Sequence, residues 1–357
     1  MTQMLSLDAH PEVVTPAAAS ANGAPPAPVL LAVDANAIVL AGPDPHAQAQ
    51  EAIALAAELA HAVPAPQVGT GPALPLLDRD LSILAFNERV LSWAERKDVP
   101  LLERLRYLCI VSSNLDEWFE VRSAPHVAVA QTGEERDSYT RTRFAALMDK
   151  AQALVAHQYH IYNQALIPAF HTHGIRLISH GERNAAQRRW VHEYFLREVQ
   201  PLLVPVGLDP SHPFPQVANK ALNFIVRLDG VDAFGRANEV AIVKVPRALP
   251  RLIPMPQKIA GKQRLFVSIS SIVRAHLAEL FPGREVTEFS QFRVTRNSDL
   301  AVDEEDVINL RMALRQGLHH RHYGQAVRLE VSASCSAVLA NVLLQQHGLP
   351  QQALFRV

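Results

Sequence analysis

The chain has 357 residues, 48% of them hydrophobic and 19% charged, with a net charge of -1. That is room for two or three domains and a sizeable core, and the near-neutral balance gives no case for a nucleic-acid-binding surface. The neutrality hides an asymmetry: the first 78 residues hold seven acidic and no basic side chains, so the remainder carries 34 basic against 28 acidic, an excess of six.

Cys109 and Cys335 are the two cysteines. Both lie in apolar sequence far apart, so reduced, buried thiols are expected rather than a disulfide framework. No uninterrupted apolar run reaches membrane-spanning length, since Val29 to Leu40 is broken by Asp34 and Asn36. The N-terminus lacks the basic residues of a secretory signal. A cytoplasmic protein with no transmembrane segment is expected.

Residues 1–74 read as a disordered leader rich in Ala and Pro, because its proline clusters cannot sustain helix or sheet. Order is expected from Leu76. Asp80 or Ser82 could cap a first helix with Ile83, Phe86, Val90 and Ala94 on its inner face. The next stretch, LLERLRYLCIVSSNLDEWFEVR (Leu101 to Arg122), holds two apolar patterns that meet at a polar hinge, Ser112-Ser113-Asn114. Ser113 with Asp116, and Asn114 with Glu117, both fit a helix N-cap followed by an acid three residues on. A polar connection at Thr132 to Asp137 precedes a long helix from about Tyr139 to Phe170, striped by Phe144, Leu147, Met148, Ala151, Leu154 and Val155. Three such antiparallel helices make a bundle spanning residues 75–180.

From residue 181 to 357 the pattern becomes mixed. Helices are expected at Ala185 to Val199, Ser271 to Leu280, Glu304 to Leu318 and Ala337 to Gln346. Strands are expected at Leu202 to Val206, Leu222 to Leu228, Val240 to Val245, Leu265 to Val267, Phe289 to Val294 and Val327 to Val331. Without a regular βαβ period this predicts an α+β domain. The fold class is thus multidomain, α then α+β.

Searches for reactive constellations are mostly negative. GxxxxGK[ST], HExxH, CxxC and GxSxG are all absent, and the GxG at Gly69 and Gly71 precedes a proline, not a helix. His319, His320 and His322 sit at an expected helix end, where cations suit the dipole and a metal site is the alternative. His212 lies in the proline-rich loop DPSHPFP, as a hydrogen-bonded loop histidine or a catalytic one. Arg293 and Arg296 could grip a phosphate with their forks, or pair with Asp299, Asp303 or Glu304.

Four stretches in order, DRDLSILAFNERVL (Asp78 to Leu91), PLLERLRYLCIVSSNLDEWFEVR (Pro100 to Arg122), DPSHPFP (Asp209 to Pro215) and FRVTRNSDLAVDEED (Phe292 to Asp306), resemble the bacterial, histidine-phosphorylated type of polyphosphate kinase. The resemblance runs from about Leu76 to Val357. It implies ATP–polyphosphate phosphotransfer through a phosphohistidine with Mg2+, on a helical N-terminal domain, a middle domain that helps dimerisation, and two phospholipase D-like catalytic domains. It also implies that Asn114, in the SSNLDE motif, contacts the adenine side of ATP. Ile83 replaces the family's usual tryptophan and Trp118 its usual phenylalanine. The nucleophilic histidine and the metal ligands of the family have no counterparts before Val357. The expectation is therefore a truncated member, inactive alone. The alternative is a non-catalytic dimerisation or regulatory module, or one half of a split kinase that joins a complete or complementary chain.

Overall fold

The computed structural model describes residues 77–209, 211, 213–231, 239–298 and 324–357. The leader, His212, the helix expected at Glu304 to Leu318 and the histidines 319, 320 and 322 lie outside the described residues.

Helix α1 (Arg79–Glu95) is capped by Asp78, whose carboxylate accepts from the Leu81 amide at 2.9 Å. The expected caps Asp80 and Ser82 are both inside the helix. Its inner face is Asp80, Leu84, Asn87, Leu91 and Ala94, one position round from the expected stripe, and Phe86 is half exposed. Of the expected stripe, Ala94 is buried and Ile83 and Val90 pack at the margin of the core, so hydrophobicity alone misplaces the centre of the face, because two buried positions are polar and satisfied by neighbouring helices.

Helix α2 (Leu101–Arg122) runs without a break through Ser112, Ser113 and Asn114, so the expected hinge and N-cap are not formed. Its polar groups bond sideways instead of turning back on the backbone: Gln158 donates to Ser112 Oγ at 2.5 Å, and Asn114 donates to Asn87. Leu108, Val111, Leu115, Trp118 and Phe119 form the buried stripe at helical spacing. Cys109 is exposed and only Cys335 is buried, against the expectation of two buried thiols.

A further helix, α3 (Ala124–Thr132), closes on left-handed Gly133 at φ 78°. Then α4 (Arg141–Ile161) starts from a Thr140 cap, and a π-turn at Tyr162–Leu166 leads into α5 (Ile167–Thr172). The π-turn has a local cause. Pro168 has no amide hydrogen and its ring crowds the Gln164 carbonyl, so one widened turn absorbs it. The same device recurs where α6 (Ala185–Tyr194), opened by an Asn184/Gln187 capping box, passes through a π-turn at Phe195–Val199 just before Pro201.

Among the described residues, nine strands make two sheets. In the smaller, β1 (Ile175–Leu177) pairs parallel with β6 (Arg264–Ser268), which pairs antiparallel with β5 (Leu252–Pro254). The larger runs in the order β2 (Val204–Gly207), β4 (Val240–Lys244), β3 (Asn223–Asp229), β7 (Glu285–Arg296), β8 (Ala326–Val331), β9 (Leu354–Arg356). It is antiparallel except for the β8–β9 pair. Among the described residues the α+β half also carries a one-turn helix at Gln257–Ala260, helices α7 (Ile269–Ala275) and α8 (Ala337–His347), and a 3-10 turn at Leu277–Leu280 after α7.

The large sheet divides two cores with a period of two. Ile225 and Ile242 join the core built by α1, α2 and α4, together with Phe292, Leu329, Leu339 and Phe355. Their neighbours Phe224, Val226, Ala241 and Val243 face a second core with Phe195, Val267, Ile272 and Val273. Coverage of both faces explains why these strands read as continuous apolar runs. A helical region followed by mixed α+β structure is thus observed, and the first core passes from one into the other.

Candidate nucleotide-binding site

Asn114 is half buried in the middle of α2. Its Nδ2 donates to Asn87 Oδ1 at 2.8 Å, and Asn87, fully buried in α1, donates in turn to the Ile83 carbonyl at 3.0 Å. This chain fixes the amide. Its Oδ1 has no protein partner among the described residues, so one acceptor and one remaining N–H are available. Ser113 and Glu117, on neighbouring turns, are exposed.

The inward flank of α2 is locked to the sheet by charge. Arg293 spreads its guanidinium over Asp116 (2.9 and 3.0 Å) and Glu330 (2.5 Å). Arg328, 1% exposed, reaches Asp116 at 2.5 Å and Glu330 at 2.9 Å, with its plane 4.4 Å over Phe119. Two cations and two carboxylates balance. Burial disfavours the charged Arg293, but Glu330 and Asp116 outweigh it and hold its pKa above the ordinary value. Arg293 therefore has no free fork for phosphate, and its partners are acids on α2 and β8. Asp299, Asp303 and Glu304 lie outside the described residues. Arg296 is likewise engaged, donating to the carbonyls of Val217 (3.1 Å) and Gly324 (2.8 Å). One turn along α2, Glu120 accepts from Asn219 at 2.5 Å and from Lys220 at 2.9 Å. Lys220 itself is left-handed, with φ 57°.

A second polar cluster ties the start of α1 to its neighbours. Asp80 is 3% exposed and accepts from Arg122 (2.5 Å) and His126 (3.2 Å). Burial would raise its pKa, but those two hydrogen bonds outweigh burial and keep it below the usual carboxylate value. His126, also buried, is pushed down mainly by desolvation, against the pull of Asp80. Arg143 bridges Asp78 and Asp80.

Of the residues singled out in the sequence, Asn114 lies on one flank of α2, and Arg293, on β7, grips Asp116 on the other. Asp209 accepts from Ser211 at 2.9 and 2.8 Å, closing the start of the proline-rich loop. Asn87, Asp80 and Asp116 carry the geometry: Asn87 was not singled out, and Asp80 and Asp116 stood out only as capping residues, not for the ion pairs they make. Their only sequence signal is a polar letter at a helical position whose neighbours three or four away are buried.

Family comparison assigns both halves. The polyphosphate kinase N-terminal domain matches residues 76–178, and the polyphosphate kinase middle domain matches residues 186–357. The chain is 49% identical over 286 residues to the polyphosphate kinase of Neisseria meningitidis serogroup B, covering 79% of this chain and 42% of that protein. It is 46% identical over 289 residues to that of Burkholderia multivorans, with coverage of 79% and 42%. The crystal structure of polyphosphate kinase from Porphyromonas gingivalis superposes with a TM-score of 0.64 at 26% identity, covering 80% of this chain and 39% of that one. The chain thus spans about two-fifths of the length of these relatives. With matches over both segments and the same fold, the chain belongs to the polyphosphate kinase family.

Proposed function

We propose that this chain provides the adenine side of the ATP site in a polyphosphate kinase, with Asn114 as the base-contacting residue. The observation that carries the reading is the Ile83–Asn87–Asn114 chain, which holds one amide in a fixed orientation with an acceptor unclaimed. Residues 75–180 would form the ATP-facing helical domain and residues 181–357 the α+β domain that dimerises, in a cytoplasmic protein. The full family reaction, reversible transfer of the ATP γ-phosphate to polyphosphate through a phosphohistidine, belongs to the complete enzyme.

The described residues do not fit Mg2+. The one group of three candidate ligands among them, His192, His276 and Glu279, offers two nitrogens, whereas Mg2+ takes oxygens.

A purine contact without phosphate contacts binds weakly, so the dissociation constant for ATP should be on the order of 1 mM or weaker. Saturation-transfer NMR suits that range. The adenine protons of ATP should receive saturation from the chain, and Asn114→Ala should abolish it while leaving the circular dichroism spectrum unchanged. Equal saturation in the variant would refute the assignment.

A further inference from the structure

We propose that His192, His276 and Glu279 bind a borderline divalent metal ion of the Zn2+ or Co2+ kind. His192 lies in the last turn of α6, while His276 and Glu279 come from the turn that follows α7. One potential ligand atom from each lies within 4.8 Å of the other two, and His192 Nδ1 stands 3.6 Å from Glu279 Oε1. A tetrahedral site with bonds of about 2.0–2.1 Å places its ligand atoms about 3.3 Å apart. Small side-chain rotations bring this trio to that spacing.

His276 is prepared for the role. It is 7% exposed, and its Nδ1 lies 2.8 Å from the Ile272 carbonyl. That bond places the proton on Nδ1 and leaves the Nε2 lone pair to ligate, as second-sphere partners do for metal-bound histidines. The ring is clamped against Phe195, with centroids 4.4 Å apart and planes at 9°, so little rotamer freedom remains to be lost on binding. The ring of His192 lies alongside at 5.3 Å. Arg183, whose charge opposes a cation nearby, is itself tied to Ser271 Oγ, and the Glu279 carboxylate offsets it.

A two-nitrogen, one-carboxylate set selects zinc-like ions over Mg2+ and leaves a fourth position for water. The alternative, a solvent-exposed His192–Glu279 ion pair, gives His276 no part. A bound ion would clip α6 to the 277–280 turn on the rim of the second core.

The test uses the full chain, stripped of metal and titrated with Co2+. One equivalent should produce the intense visible d–d band of a tetrahedral centre, Zn2+ should displace it, and Mg2+ should not. His192→Ala and Glu279→Gln change half-exposed side chains and should leave the fold intact, while each weakens Co2+ binding by about tenfold or more. A rise in melting temperature with Zn2+ should be lost in the same variants. A pale six-coordinate spectrum, or variants that bind like the parent, would overturn the proposal.

Discussion

His347 ends α8 with a buried Nε2 that has no hydrogen-bond partner among the described residues and a ring set edge-on to Phe214 at 5.3 Å. Burial, helped by the charge of Arg296, lowers its pKa from 6.5 to about 4. The sign follows from proton counting. Between those values the unfolded chain binds a proton that the native chain refuses, so native stability is intact above the unfolded value and falls as the pH drops towards the folded one. Full passage through the window costs roughly 3 kcal/mol. Urea midpoints measured at about pH 7 and about pH 4.5 should show His347→Gln losing roughly 2–3 kcal/mol less than the parent on acidification; equal losses would refute it. At this scale the sequence is a partial guide. Asn114 stands out through its motif, whereas Asn87 is visible only once α1 and α2 are packed, because a buried amide is recognised by its partner and not by its neighbours in the chain.

Helix α2 shows how element boundaries escape a sequence reading. Ser112-Ser113-Asn114 has the letters of a cap, yet Gln158 and Asn87 take up two of those side chains laterally and the backbone stays helical. The distinction can be measured at Ser113, which is exposed and carries no packing load. Proline there would be tolerated in a hinge or a first turn. In a continuous helix it removes a backbone bond and clashes with the preceding turn, so Ser113→Pro should cost about 3 kcal/mol by chemical denaturation. A loss below about 1 kcal/mol would restore the hinge. The longer strands were legible because their apolar runs are dictated by burial on both faces. The three-residue strands β1, β5 and β9 were not, since pairing partners far along the chain define them and their own pattern does not.

Over the whole molecule, the core joining α1, α2 and α4 to β7, β8, α8 and β9 means that the two family-matched segments share apolar contacts. Phe119 of α2 meets Phe355 of β9 edge to face at 5.4 Å. Meanwhile, among the described residues, the margin of the large sheet at β2 has no further strand beside it, with Val204 on that strand 67% exposed and Leu202 in the turn before it 46% exposed. Apolar side chains on an unpaired strand edge favour association, in keeping with the proposed dimer. Light scattering behind size exclusion should give twice the chain mass of 39.3 kDa, and a mass that stays at one chain at high concentration would exclude it.

The amide chain from Ile83 has one more consequence, for the choice of base. The Ile83 carbonyl can only accept, so it orients Asn87 with its nitrogen towards Ile83 and its oxygen towards Asn114. That oxygen in turn claims one N–H of Asn114, which fixes where the Asn114 oxygen stands as the unclaimed acceptor and leaves the second N–H beside it. Under the proposed reading, an acceptor held this way suits the amino group on the edge of adenine and opposes the carbonyl that guanine carries at the same place. Discrimination between ATP and GTP would then originate in a backbone oxygen of α1, three hydrogen bonds away from the nucleotide.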